Sequence, residues 1–183
     1  MKPTASGTER AIPAQRALTP HDIHLFREGT HGRLYERLGS HLVTTDGVAG
    51  VCFAVWAPNA DAVSVFGDFN DWNRQRHPLR VREDGSGIWE AFVPGVGQGA
   101  LYKYAIRSRW SGQEFEKGDP FAFAWQCPPG TASRVQSLDY RWDDGAWMAA
   151  RRGANALDAP ISIYEMHLGS WRREPEDANR YLS

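Results

Sequence analysis

Residues 51–73, VCFAVWAPNADAVSVFGDFNDWN, decide the fold because they contain two short strands and the turn that follows each of them. Within residues 51–56 every second side chain is Val or Phe, and residues 62–67 alternate in a similar way. A period of two is typical of a strand with one buried face, and clusters of Pro, Asn, Asp and Gly are typical of turns. The stretch therefore predicts two consecutive strands, the second of which ends at Gly67.

Four further strands are predicted after this stretch, over residues 79–82, 88–93, 101–108 and 114–117. The strands follow one another about every ten residues, with turn formers between them and no long helix. This spacing is typical of an immunoglobulin-like sandwich, whereas a parallel α/β fold alternates strands with helices. We therefore expect an all-β, immunoglobulin-like β-sandwich.

The two ends of the chain differ in character from this central part. Residues 1–18 mix Pro, Ala, Ser, Thr and charged residues without periodicity, and predict a disordered tail. A Thr-Pro pair then indicates a helix start, and the sandwich domain is expected to span residues 19–148. Residues 149–160 predict a linker, and residues 161–183 predict a new strand and the loop that follows it.

Charge and composition exclude several classes of protein. The 183 residues carry 21 basic and 22 acidic side chains, which gives a net charge of −1. A protein that binds nucleic acid needs an excess of Lys and Arg, so we expect no nucleic acid as a partner. No apolar run approaches the length of a membrane span, and the first residues lack the apolar core of a signal peptide. We therefore expect a cytoplasmic protein without a membrane partner.

The sequence carries no recognisable set of catalytic residues. The motifs of serine hydrolases, zinc proteases, P-loop NTPases and dinucleotide-binding enzymes are absent. Aspartates are concentrated in predicted turns, where a carboxylate more often accepts a backbone N–H than acts in catalysis. The two cysteines are too few for a disulfide framework and lack the spacing of metal ligands. We therefore predict no catalytic residue, no metal and no cofactor.

Trp72 lies in the polar turn DFNDWN, where a large aromatic side chain is unusual. Either the indole folds back to cap the core, or it stays at the surface to bind a flat, partly apolar ligand. A sugar ring fits the second interpretation, because its C–H face packs on an indole while polar side chains bind its hydroxyls. Asn70 and Asp71 are the candidate partners of those hydroxyls.

Lys103 and Trp110 are candidates for the same surface. Lys103 alternates with two tyrosines along its predicted strand, so it points to solvent if the tyrosines point into the core. Trp110 lies in the hairpin that follows. Together with Trp72 they predict a shallow platform for an α-glucan, while core capping stays open for both indoles and is favoured for Trp110 by the pattern alone.

Several motifs in the same order resemble a known family. Residues 54–80, AVWAPNADAVSVFGDFNDWNRQRHPLR, and residues 101–106, LYKYAI, resemble the starch- and glycogen-binding module, family 48, that precedes the catalytic barrel in branching and debranching enzymes. Residues 25–41, LFREGTHGRLYERLGSH, and residues 159–173, APISIYEMHLGSWRR, narrow the resemblance. The chain is similar to bacterial 1,4-α-glucan (glycogen) branching enzymes from about Thr19 to Arg173.

The resemblance implies both a fold and a function. The module of this family is an immunoglobulin-like (E-set) sandwich, and residues 161–167 match the first strand of a (β/α)₈ barrel of glycoside hydrolase family 13, here truncated. The enzymes cut an α-1,4-glucan and re-attach the segment through an α-1,6 bond in glycogen biosynthesis, by a retaining two-carboxylate mechanism. Because the family's catalytic carboxylates lie on later strands, beyond Ser183, this chain is expected to bind but not to catalyse.

The resemblance also implies a binding site and leaves alternatives open. In modules of this type that hold glucan, the positions that match Trp72, Lys103 and Trp110 form the sugar platform. The alternatives are a structural module that binds no sugar, with Trp72 buried, a glycogen-targeting scaffold, or a module of a debranching enzyme. A monomer is expected, with self-association through the exposed apolar strand at residues 161–167 as the exception.

Overall fold

The computed structural model describes residue 12, residues 17–154 and residues 156–181. The chain divides into two compact units, Met1–Asp139 and Tyr140–Ser183. In chain order, the elements of the first unit are α1 (Pro20–Glu28), β1 (Gly39–Thr45), β2 (Val48–Trp56), β3 (Ala60–Gly67), β4 (Arg80–Val81), β5 (Ile88–Pro94), β6 (Leu101–Ser108), β7 (Glu114–Lys117), β8 (Ala124–Trp125) and β9 (Ser133–Arg134).

The strands of the first unit form two antiparallel sheets. The first sheet has the order β1-β2-β5-β4, and the second has the order β3-β6-β9-β8, with β7 also paired to β6. Each of the six strands predicted from the sequence corresponds to one of β2 to β7, although β4 is shorter than the predicted residues 79–82. The expected all-β, immunoglobulin-like sandwich is therefore confirmed.

The core lies between the two sheets, because alternate side chains of each sheet face the other. Val51, Phe53 and Val55 of β2 are buried, and the Phe53 ring lies 5.0 Å from the ring of Tyr102 on β6. Burial of each such side chain contributes about 1.5–3 kcal/mol, which makes this cluster the main source of stability. The tyrosines that alternate with Lys103 thus point inward, as the sequence predicts.

A buried carboxylate ties the segment after β7 to the core. Asp119 accepts hydrogen bonds from the hydroxyls of Tyr102 at 2.7 Å and Tyr104 at 3.2 Å, and from the N–H of Phe121 at 2.8 Å. Burial raises the pKa of Asp119 although these donors act in the opposite direction. Burial also raises the pKa of both tyrosine hydroxyls, so they remain protonated donors.

Helix α1 begins with a capping box, which explains the helix start predicted at the Thr-Pro pair. The N–H of Asp22 donates to Oγ1 of Thr19 at 3.1 Å, and the N–H of Thr19 donates to Oδ2 of Asp22 at 2.8 Å. Burial acts to raise the pKa of Asp22, but hydrogen bonds from Thr19 and His31 and the charge of Arg37 hold it well below its usual range.

Leu18 corrects the predicted extent of the disordered tail. Its side chain is buried with Ile23 of α1 in a second apolar cluster, which also contains Ile88 of the first sheet. A contact between the residue before the cap and the fourth helical residue fixes how the chain enters a helix. Residues 1–11 and 13–16 of the predicted tail lie outside the described residues.

Strand β1 is not predicted by the sequence analysis, although the sequence contains a signal for it. Asp46 and Gly47 connect β1 to β2, with φ of 51° and 73°. Positive φ at both central residues is typical of the type I′ turn, for which Asp-Gly is a preferred pair. Just before β1 the chain forms the 3₁₀ turn Leu34–Glu36.

The second unit contains two helices and two very short strands among its described residues. They are α2 (Gly145–Ala154), α3 (Leu168–Trp171), β10 (Arg173–Glu174) and β11 (Arg180–Tyr181). The predicted domain boundary at residue 148 therefore falls within α2, and the predicted linker over residues 149–160 begins as helix.

The strand predicted over residues 161–167 is not formed. These residues have no regular structure, and the side chains of Ile161 and Ile163 are exposed. A strand of a parallel sheet depends on hydrogen bonds to its neighbours and on burial of both faces. Within the described residues no other strand pairs with this segment, so its apolar side chains alone do not produce one.

Candidate functional site

The turn after β3 holds two consecutive residues in the left-handed region. Asp71 has φ of 58° and Trp72 has φ of 57°. This conformation costs a non-glycine residue about 1–2 kcal/mol, and for a bulky side chain it is uncommon. A backbone hydrogen bond of 2.8 Å from the N–H of Trp72 to the carbonyl of Gly67 helps to hold it. The structure therefore fixes the direction in which the indole leaves the chain.

Asn70 holds this turn from within. It is 1% exposed, its Oδ1 accepts the N–H of Gly67 at 3.0 Å, and its Nδ2 donates to the carbonyl of Asn73 at 3.2 Å. Nδ2 also lies 2.9 Å from Nδ1 of His77. The predicted contact of Asn70 with a sugar hydroxyl does not fit this geometry, because a buried amide engaged on both sides supports the backbone instead.

Trp72 stands on the outer face of the second sheet, where its indole packs on Phe66. The two rings meet edge to face, with centroids 5.8 Å apart and planes at 76°. The indole is 41% exposed, whereas Phe66 beneath it is buried. The expectation of the purely structural alternative, that Trp72 is buried by its own chain, is therefore wrong.

Lys103 lies beside this aromatic pair. It is the cross-strand partner of Phe66 in the β3–β6 ladder, and its Nζ lies 3.7 Å from Oε2 of Glu116 on β7. Cross-strand partners on one face bring their side chains into contact range. Phe66 therefore contacts the indole of Trp72 and stands opposite Lys103 in the ladder.

Arg74 completes the surroundings of Phe66. Its guanidinium carbon lies 5.7 Å from the centroid of the Phe66 ring, and it forms ion pairs with Glu116 and, at 3.3 Å, with Glu114. Two cations, Arg74 and Lys103, therefore face two carboxylates. We refer to Phe66, Trp72, Arg74, Lys103, Glu114 and Glu116 as the Trp72 surface, which carries a balanced charge.

Trp110 is not part of the Trp72 surface. It lies in the turn between β6 and β7 and is 80% exposed, so it does not cap the core. The strand from Lys103 to Ser108, just before this turn, rises about 17 Å at the usual spacing of strand residues. The predicted arrangement, with Lys103 between two neighbouring indoles, is therefore not what the structure shows, and one sugar ring does not reach both.

Asp71 remains available at the edge of the Trp72 surface. Its side chain is 94% exposed, and its carboxylate lies 4.0 Å from Nη1 of Arg76. Such a contact at full exposure is weak, so the carboxylate can accept a hydrogen bond from a ligand. The sequence pattern does not identify Arg74 or Glu116 as members of this surface. It does point to Phe66, because a Phe on the outer face of an alternating strand is expected to be shielded from solvent by another side chain.

The described part of the chain offers no obvious metal centre and no membrane span. Within it, no three side chains of the His, Cys, Asp and Glu types come together in a way that could hold a metal ion. None of its helices combines the length and the apolar character that crossing a bilayer requires.

A family model described as Carbohydrate-binding module 48 (Isoamylase N-terminal domain) matches residues 37–122. Residues 37–122 belong to carbohydrate-binding module family 48. This module contains strands β1 to β7 and every residue of the Trp72 surface. Its match ends before β8 and β9, which complete the second sheet.

Relatives of known name extend the likeness beyond the module. The chain is 52% identical over 166 residues to 1,4-alpha-glucan branching enzyme GlgB of Aquifex aeolicus, which covers 91% of this chain and 26% of that protein. It is 57% identical over 168 residues to GlgB of Aromatoleum aromaticum, which covers 92% of this chain and 26% of that protein. The predicted resemblance to bacterial branching enzymes is confirmed, and the chain spans about a quarter of the length of these relatives.

The module also has partial likenesses among solved structures. Klebsiella pneumoniae pullulanase complexed with maltotriose is 28% identical, with a TM-score of 0.45, over 55% of this chain and 10% of that one.

Proposed function

We propose that the family 48 module binds α-glucan through the Trp72 surface. The observation that carries this proposal is the indole of Trp72, held in a strained turn on a buried Phe66 and 41% exposed beside Lys103. A rigid aromatic ring offers contact area to the C–H face of a sugar without losing much freedom on binding. The name of the family model supports a carbohydrate as the ligand class.

The charges of the Trp72 surface suit a neutral polymer. Lys103 and Arg74 are matched by the carboxylates of Glu114 and Glu116, so neither an anionic nor a cationic ligand is favoured. Lys103 and Asp71 supply a donor and an acceptor to hydroxyls on either side of the indole. Trp110, at the far end of the hairpin, contacts a later unit of a long glucan chain.

We further propose that the chain works as the amino-terminal part of a 1,4-α-glucan branching enzyme. This rests on the names of relatives about four times its length. Such an enzyme cuts an α-1,4-glucan and rejoins the segment in α-1,6 linkage, and residues 161–167 would form the first strand of its barrel. No residue of this chain receives a catalytic role, and a monomeric, cytoplasmic protein is part of the same proposal.

Co-sedimentation with glycogen tests the binding surface. Trp72→Ala is expected to raise the dissociation constant at least tenfold, because it removes the ring on which the sugar packs. Trp142→Ala is the matched control, since this indole is also exposed but belongs to the second unit. Full binding by Trp72→Ala, with the folded state verified by circular dichroism, would overturn the proposal.

The length of the ligand tests the role of Trp110. Because the strand rises about 17 Å between Lys103 and Ser108, just before the turn that carries Trp110, Trp110→Ala is expected to leave the affinity for maltotriose unchanged and to weaken the affinity for a long maltodextrin. Isothermal titration with both sugars measures this. An equal loss for both ligands would show that Trp110 and Trp72 contact the same ring.

A further inference from the structure

We infer that a cleft on the opposite edge of the sandwich binds one ring of a neutral sugar. We refer to it as the Tyr35 cleft, a space of about 200 Å³ whose lining includes Tyr35, Glu36, His41, Phe123, Gln136 and Asp139. Phe123 directly precedes β8, which forms the edge of the second sheet away from β3. Phe66 of the Trp72 surface lies on β3, at the other edge of this sheet.

Aromatic rings form one side of the Tyr35 cleft. The ring of Phe123 lies 6.5 Å from Tyr35 and 5.8 Å from His41, edge to face in both cases. Leu38, buried in the second apolar cluster, anchors the 3₁₀ turn that carries Tyr35. Tyr35 is 44% exposed, so this supported ring still presents apolar area to a ligand.

Polar groups also line the Tyr35 cleft, and the segment that carries Gln136 is held in place by the core. Val135 is fully buried and bonded through its backbone to Gly99 at 2.8 Å and to Ala100 at 2.9 Å. Directly after it, Nε2 of Gln136 donates to the carbonyl of Ser137 at 3.0 Å. The amide of Gln136 is thereby oriented while it still carries a carbonyl oxygen and a second N–H.

The charge and size of the Tyr35 cleft select the class of ligand. Its lining contains no Lys or Arg, so an anion such as a phosphate is disfavoured. Glu36 already accepts a hydrogen bond of 2.9 Å from Nε of Arg33, which offsets one of the two carboxylates. The space is smaller than the roughly 300–1,000 Å³ typical of sites for drug-sized ligands, which fits one ring rather than an oligosaccharide.

A cleft lined by aromatic rings together with amide and carboxylate groups has the chemistry that binds a neutral polyol ring. That this ring belongs to an α-glucan rests on the proposed function, whereas the preference for a neutral sugar rests on the cleft alone. With the Trp72 surface on the other edge, the module would hold two chains of a branched polymer at once. Occupation of one site then raises the effective concentration of the polymer at the other.

Nuclear magnetic resonance titration of the whole chain with glucose and with maltotriose tests the inference. In the Trp72→Ala variant, amide signals of Phe123 and Gln136 are expected to shift with both sugars, and 0.5 M NaCl should leave the shifts unchanged. Tyr35→Ala is expected to weaken these shifts at least fivefold. Gln136→Ala provides a second variant with the same expected loss, in case Tyr35→Ala does not fold.

The two proposals fail separately. Absence of cleft shifts in a folded Trp72→Ala variant, or shifts that high salt abolishes, would overturn the sugar site and leave the Trp72 surface intact. Cleft shifts that persist while Trp72→Ala binds glycogen normally would support the Tyr35 cleft and overturn the Trp72 surface. Shifts with maltotriose but not with glucose would overturn a site for a single ring, because glucose supplies the same ring.

Discussion

Asn70→Ala is expected to destabilise the protein although the side chain contacts no ligand. The substitution leaves the buried N–H of Gly67 without its acceptor, which costs about 1–3 kcal/mol. Loss of the Nδ2 donor adds only about 1 kcal/mol. Its hydrogen bond to the carbonyl of Asn73 is only partly buried, and its hydrogen bond to the carbonyl of Val65 is long, at 3.4 Å. The expected decrease in the free energy of unfolding is therefore about 2–4 kcal/mol.

Urea unfolding followed by tryptophan fluorescence measures this decrease. The matched control is Asn73→Ala, which removes the same side chain from the same turn at an exposed position. Oδ1 of Asn73 accepts the N–H of Gln75 at 2.9 Å, and water replaces such a bond at the surface. The control is therefore expected to lose less than about 1 kcal/mol.

Equal stabilities of the two variants, within about 0.5 kcal/mol, would refute the role of Asn70 as the support of the turn. Glycogen binding separates support from contact. If Asn70 supports Trp72, its substitution lowers stability and affinity together. A loss of affinity at unchanged stability would instead mean that Asn70 touches the sugar, as the sequence analysis predicts.

Three further predictions concern the pH, the buried carboxylate and the second unit. The imidazole of His77 accepts the hydrogen bond from Asn70 only when it is neutral. Burial, and to a smaller extent the positive charge of Arg76, lowers the pKa of His77. The contribution of neutral His77 to the free energy of unfolding is therefore complete above the pKa of about 6.5 that it has in the unfolded state. This contribution is lost as the pH falls through the lower pKa of His77 in the folded state. Urea unfolding at pH 7 and pH 5 measures this, and a His77 variant whose stability falls as much on acidification as that of the parent would contradict it. Asp119→Ala is expected to lower the free energy of unfolding by more than about 3 kcal/mol, because two tyrosine hydroxyls and a backbone N–H lose a buried acceptor. Thermal unfolding measures this loss, and a small change in the unfolding temperature would show that water replaces the carboxylate. A chain that ends at Asp139 is expected to be more monodisperse in light scattering than one that includes the exposed apolar side chains of the second unit; equal dispersity would contradict self-association through that unit.

The strands of the sandwich were predictable because each carries its own pattern. Alternation in β2, β3, β5 and β6 marks the face that each strand turns toward the main apolar cluster, although the residues between them in β2 are buried as well. The hairpin of β1 is a different case, since Asp46-Gly47 contains the signal but the flanking residues alternate weakly. Strands β8 and β9, of two residues each, are fixed by pairing with distant residues and carry no local pattern.

The candidate site was predictable in part, and the reason lies in long-range contacts. Trp72 in a polar turn and Lys103 opposite two inward tyrosines are local signals, and the structure places both on one face. Asn70 was predicted to bind sugar as a polar neighbour of Trp72 in the same turn, but hydrogen bonds to the backbone on both sides of the turn draw it inside. The ion pairs of Arg74 join residues some forty positions apart, which no local pattern reports.

The strain in this turn has a consequence for binding. Trp72 holds a left-handed backbone conformation that costs about 1–2 kcal/mol, and the buried amide of Asn70 and the carbonyl of Gly67 stabilise it in the absence of ligand. The free-energy cost of this conformation is therefore offset by folding itself. A sugar then binds to an indole whose position is already fixed. Substitutions that relax the turn without touching the indole should therefore weaken binding mainly through a larger entropic penalty. Calorimetry on such variants would show this as a less favourable entropy of binding, whereas an unchanged entropy would mean that the turn is ordered by other contacts.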